Sequence, residues 1–142
     1  MGKFGFEILP NTADVRLRVW GKKLEELFRA ALRGVTSYLK PQALSLKKRE
    51  LTERCEVAID AVDIHSLLIE FLSNIVARSA SENAIFPEIR FKEFGENFLK
   101  GELWGAKVDG FASDIKAVSY QEVDIKKNPE TGFYETVLVF EV

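Results

Sequence analysis

Apolar residues fall at every second position over two short stretches near the N-terminus. Phe4, Phe6 and Ile8 alternate with Gly5, Glu7 and Leu9, and Val15, Leu17 and Val19 alternate with Arg16, Arg18 and Trp20. A repeat of two is the signature of a half-buried β-strand. Pro10 removes a backbone donor and predicts the end of the first strand. Asn11, Thr12 and Asp14 bring side chains that bond nearby backbone amides, the chemistry of a tight connection. The pattern then changes period. Leu24, Leu27, Phe28, Ala31, Leu32, Val35 and Tyr38 recur at helical spacing, and Pro41 stops the run.

Residues 42–49, with the basic cluster Lys47-Lys48-Arg49, read as a solvated connection. Glu53, Cys55, Val57 and Ile59 mark a third strand. Asp63 is placed to cap a second helix, whose stripe of Ile64, Leu67, Leu68, Phe71, Leu72, Ile75 and Val76 predicts the more buried of the two helices. The polar run of residues 79–83 ends it. Beyond that point the chain reads as strand: Ile85 to Phe91 around Pro87, then Phe98 to Gly105 after the turn signal Gly95-Glu96-Asn97. Residues 108–113 read as a loop, 115–125 as a strand, 126–132 as a connection and 133–142 as the last strand. Alternation within 115–125 puts Lys116, Val118 and Tyr120 on one face and Gln121 on the other. The order β-β-α-β-α-β-β-β-β predicts an α+β fold over residues 1–142, a single domain with two helices packed on a largely antiparallel sheet.

Composition narrows the function. The chain has 142 residues, 46% of them hydrophobic, enough for a substantial core. Its 30% charged residues mix both signs and sum to −2. That balance argues against strong direct nucleic-acid binding, which needs a basic footprint to displace phosphate counterions. A role near RNA would run through a partner. The lone Cys55 can form no internal disulfide, and there is no signal-like start or long apolar run. A cytoplasmic protein without membrane contact is the expectation. Eleven phenylalanines in a strand-rich chain point to core filling, since stacking platforms for bases pair exposed aromatics with basic grooves.

Familiar catalytic signatures are missing: no phosphate-binding glycine loop, no Gly-x-Ser-x-Gly and no cysteine pair at metal spacing. The only histidine, His65, lies in the first turn of the second helix without a residue nearby in sequence to orient it as a base. What remains is carboxylate chemistry. The last predicted strand runs into Glu141 and Val142. If that end lies beside the loop of residues 11–14, Asp14, Glu141 and the α-carboxylate of Val142 converge. Such groups repel and raise one another's pKa, and a hard divalent cation relieves the repulsion. All-oxygen ligands suit Ca²⁺, Mg²⁺ or Mn²⁺ over Zn²⁺. The alternative is an exposed Glu141 paired with Arg16, Arg18 or Lys116.

Three stretches, Asn11-Thr12-Ala13-Asp14-Val15, Lys116-Ala117-Val118-Ser119-Tyr120-Gln121 and Glu141-Val142, together with Trp20-Gly21-Lys22, resemble the archease family. The similarity covers essentially the whole chain. The resemblance implies a non-enzymatic activator of an RtcB-type RNA ligase in tRNA splicing and RNA repair, one that promotes ligase guanylylation and multiple turnover. It implies an acidic tip that binds a divalent cation, Ca²⁺ first, with Mg²⁺ and Mn²⁺ as alternatives. The metal ligands carry over to Asp14, Glu141 and Val142, and the partner-contact residues to Lys116, Asn11, Thr12 and Gln121. A monomer or weak dimer is implied. The chain departs from the pattern at four places. Asn11 and Gln121 stand where the family has histidines, which removes two groups that titrate near neutral pH. Glu141 stands for the customary Asp, and Ala106 follows Trp104-Gly105 where Glu is frequent. These departures leave a second reading open, a chaperone-like adaptor or diverged relative whose metal site is vacant.

Overall fold

The computed structural model describes residues 3–9 and 13–142. Strands β1 (Phe4–Leu9) and β2 (Val15–Gly21) form on the alternating stretches and pair antiparallel, with Phe6 opposite Val19. Helix α1 (Leu24–Leu39) follows, and the Glu26 carboxylate accepts the Lys23 N–H at its start. Two short 3-10 turns, Pro41–Ser45 and Lys48–Glu50, fill the connection to β3 (Glu53–Asp60). Helix α2 (Ile64–Glu82) begins as the sequence predicts: the Asp63 carboxylate accepts the Ser66 N–H at 2.8 Å, which lowers the Asp63 pKa. It closes on Asn83 in the left-handed conformation. The remaining elements are β4 (Ala84–Phe94), β5 (Phe98–Lys107), β6 (Ala117–Ser119), β7 (Lys126–Lys127) and β8 (Tyr134–Glu141).

The strands make two sheets where the sequence predicts one. The first has the order β1-β2-β8-β6, with β7 also pairing β8, and the second is β3-β5-β4; every pairing is antiparallel. Pro87 sits inside β4 at a register shift between Ile85 and Glu88, so its missing donor falls where the ladder is already interrupted.

The order of burial of the helices reverses the expectation. Nine of the 16 residues of α1 are buried against seven of the 19 in α2. Helix α1 touches both sheets, packing on β1 and β2 on one side and β4 on the other. Its small residues Ala30, Ala31 and Gly34 let it approach closely, and a Cβ added at Gly34 would lie 2.5 Å from Leu17 Cδ2. Helix α2 is the more apolar in composition and also reaches both sheets, through β6 and through β3, β4 and β5, but it packs on each less extensively than α1 does. Phe28 joins the layers, with its ring 5.0 Å from Phe94 and 5.8 Å from Phe71. One contiguous core includes Leu17, Leu32, Leu68, Leu103 and Phe140. Among the described residues no helix is long and apolar enough to cross a membrane.

The strand predicted over residues 115–125 is also broken. β6 pairs with residues 139–141 of β8 and β7 with residues 134–135. Between them, residues 120–125 face only residues 136–138, six against three, so the chain must leave the sheet. Ser119 Oγ accepts the Gln121 N–H, Glu122 adopts a φ of 66°, and Thr136 Oγ1 accepts the Asp124 N–H. Of the predicted face only Val118 is buried: Lys116 precedes β6 and is exposed, and Tyr120 is 57% exposed.

Candidate functional site: an acidic tip at the end of the first sheet

Strand β2 starts one residue after Asp14, and β8 ends at Glu141. Their register pairs Val15 with Phe140. Val15 and Phe140 are the last pair, and Asp14 and Glu141 are the next residue on each strand, so their backbones lie at the same end of the sheet. On the other side of β8, Ala117 pairs with Glu141, and the Lys116 N–H donates to the Glu141 carbonyl at 2.8 Å. The inner face beneath this end is sealed by Val15, Val118 and Phe140, packed with the core. Buried Val118 and Phe140 and partly buried Val15 therefore anchor the ends of three adjacent strands, next to which Asp14, Glu141 and Lys116 stand. Asp14 is half-buried, whereas Lys116, Glu141 and Val142 are exposed. Asn11 and Thr12 lie outside the described residues.

Gln121 is not at the strand ends. It stands two residues beyond β6, exposed, in the same excursion as Glu122. Glu122 receives a forked set of bonds from Arg16, whose Nη2 lies 2.5 Å from Oε2 and whose Nε lies 3.1 Å from the same oxygen. The hydrogen bond to Arg16 holds the Glu122 carboxyl below the usual glutamate range. Reciprocally, the Glu122 hydrogen bond raises the Arg16 pKa, and the nearby negative charges of Glu122 and Asp14 add to it. Sequence reasoning named Arg16 only as a candidate partner of Glu141 and did not single out Glu122. The one available signal was the spacing of Val118 and Val123, five residues apart, which cannot share a face of an uninterrupted strand.

Of the alternative, the exposure of Glu141 holds, but among the described residues it forms no ion pair with Arg16, Arg18 or Lys116: Arg16 goes to Glu122, and Arg18 goes to Glu135 at 2.8 Å. Asn128 also donates to Glu135, and together with Arg18 it depresses that carboxyl's pKa. His65 lies 4.0 Å from Asp124, away from the strand ends.

The donors at the tip are carboxylate oxygens, suited to a hard cation. Two carboxylate residues, Asp14 and Glu141, directly follow the last pair of β2 and β8. Among the described residues no group of three or more His, Cys, Asp and Glu side chains is placed to hold a metal ion. Side chains alone thus offer a partial shell.

Over residues 6–142 the chain matches the Archease protein family (MTH1598/TM1083). The protein archease of Methanosarcina mazei is 31% identical over 132 residues, covering 86% of each chain. That of Methanosarcina barkeri is 28% identical over 142 residues, covering 94% of each. The solution structure of protein 1598 from Methanobacterium thermoautotrophicum aligns with a TM-score of 0.76 at 23% identity, over 97% of this chain and 99% of that one. The crystal structure of an archease from Thermotoga maritima, described as a possible chaperone, aligns with a TM-score of 0.67 at 19% identity over 96% of both. The two structures agree on the fold, and the sequence match extends over nearly the whole chain. This chain therefore belongs to the archease family.

Proposed function

We propose that the chain activates an RtcB-type RNA ligase in tRNA splicing or RNA repair, without catalytic turnover of its own, by presenting the acidic tip to the ligase. The observation that supports this reading is the pairing of Val15 with Phe140, which leaves Asp14 and Glu141 as the next residues on neighbouring strands. Two carboxylates facing each other across neighbouring strands repel, and a divalent cation stabilises them together. Asp14 and Glu141 would hold the cation, with a backbone oxygen of Val142 completing the protein's share. Ca²⁺ tolerates such an irregular oxygen shell best, and Mg²⁺ and Mn²⁺ are the alternatives. The cation would supply positive charge at the contact with the ligase. Lys116, tied by its backbone to Glu141, extends its ammonium group from the same end and can meet a phosphate. Asn11, Thr12 and Gln121 complete the proposed contact surface. The site of action is the cytoplasm, the protein is a monomer or weak dimer, and RNA is met through the ligase.

Guanylylation of a cognate ligase, followed by covalent incorporation of labelled guanylate, tests the proposal. The wild-type protein accelerates it and Asp14→Ala abolishes the acceleration; equal stimulation by both proteins would refute the role of the tip. A second reading, a chaperone-like adaptor with no bound cation, is favoured by the incomplete side-chain shell. Calorimetric titration with Ca²⁺, Mg²⁺ and Mn²⁺ separates the two, since the adaptor gives no saturable heat.

A further inference from the structure

Where α1 and the second 3-10 turn meet the second sheet, Arg29, Lys48, Glu88, Ile89, Arg90 and Trp104 line a cavity of about 350 Å³. Its charge is lopsided. Glu88 is neutralised by Arg33 at 2.7 Å. Arg29, Lys48 and Arg90 have no carboxylate in ion-pair range among the described residues. Arg29 is held by neutral groups: its Nη1 donates to the Ile89 carbonyl at 2.9 Å, and its Cζ lies 4.9 Å from the centre of the Phe91 ring. Glu102 stands opposite Arg90 in the sheet, yet it accepts the Trp104 indole N–H at 2.8 Å. Trp104 is itself fixed by Arg54, whose Cζ is 3.9 Å from the ring centre.

Three cations around one small cavity, one of them fixed in place by uncharged partners, repel one another until an anion enters. We infer that this cavity binds a compact phosphate-bearing ligand, a phosphate monoester or pyrophosphate group on a small molecule. Arginine forks match phosphate oxygens in pairs, and a lysine adds a mobile point charge. The volume sits at the small end of ligand sites. An extended polyanion fits less well, because the basic field is local: on the same sheet Lys92 pairs with Glu56 and Lys100 with Glu93.

The test uses Trp20→Phe protein, in which Trp104 is the remaining tryptophan and reports the cavity by fluorescence. Titration with inorganic pyrophosphate at constant ionic strength is expected to give a saturable change. Lys48→Ala and Arg90→Ala, both exposed positions, weaken it at least tenfold. Glu88→Gln, which removes the only acid in the lining, tightens it severalfold. Lys100→Ala, outside the cavity, leaves it unchanged. Adenosine 5′-monophosphate binding more tightly than inorganic phosphate identifies a nucleotide as the source of the phosphate, and equal binding identifies the free ion. The inference is overturned by no saturable response, by a response indifferent to Lys48→Ala and Arg90→Ala, by adenosine binding as well as its monophosphate, or by a single-stranded RNA binding far more tightly with a salt dependence of many phosphates. None of these outcomes depends on the tip or on the ligase.

Discussion

Arg16 on β2 and Glu122, separated by 106 positions in the chain, meet in a forked ion pair on the solvent side of the first sheet. The pair fastens the excursion between β6 and β7 to the strand that begins at Asp14. It also has an electrostatic signature, because Glu122 is held below the usual glutamate pKa. A carboxyl with a depressed folded-state pKa contributes stability that is present above its unfolded value and lost as pH falls through the folded one. The difference in melting temperature between wild type and Arg16→Ala should therefore be constant at neutral pH and narrow below the ordinary glutamate range. A difference independent of pH down to strong acid would contradict the assignment.

Lys116 offers a way to separate backbone from side chain at the tip. Its N–H bonds the Glu141 carbonyl, and its side chain is exposed. Lys116→Ala keeps the backbone bond, so thermal melting should be nearly unchanged while stimulation of ligase guanylylation falls at least tenfold. A variant that melts far lower and loses activity in proportion would make the lysine a structural residue.

Glycine substitutions should differ according to what they strike. At Gly34, alanine gains about 1 kcal/mol of helix propensity, but its Cβ meets the Leu17 side chain, and overpacking of this kind costs about 1–3 kcal/mol. A net loss of about 1 kcal/mol follows, since Leu17 can turn its methyl groups aside. At Gly105 the new Cβ would strike the Ile85 carbonyl, in the backbone next to the β4 irregularity. That carbonyl cannot move without disturbing the strand pair, so Gly105→Ala should cost about 3 kcal/mol or more. Urea denaturation of the two variants ranks them, and the reverse order would count against the packing.

Cys55 is half-buried on β3, and burial is the main cause of its raised pKa, partly offset by Arg78. Because the thiolate is the reacting form, disulfide exchange with an aromatic disulfide at mildly alkaline pH should be about tenfold or more slower in the folded protein than in urea. Equal rates would place the thiol in solvent.

Period-two and helical patterns located the elements well where one face meets one neighbour. β1, β2, β3 and α1 begin and end within a residue or two of the pattern, and Asp63 caps α2 as its position implied, but α2 runs on to Glu82 through the polar residues read as its end. The pattern failed where a third body intervenes. The burial of α1 depends on being flanked by two sheets, and Ala30, Ala31 and Gly34 look unremarkable until both are present. The break after Ser119 depends on a bond from Arg16, far away in sequence, and on the Thr136 hydroxyl. At the candidate site, Asp14, Glu141 and Lys116 were recognisable as chemistry in the sequence, but the strand register that sets their backbones at one end of the sheet is carried by no local pattern.

Helix α1 has a consequence for how the molecule comes apart. Peeling away either sheet would strip one flank of the helix and leave its side chains facing water, so neither layer can loosen and leave the other whole. Heat or urea should then dismantle the acidic end and the cationic cavity in a single step, with tryptophan emission and helical dichroism tracing the same curve.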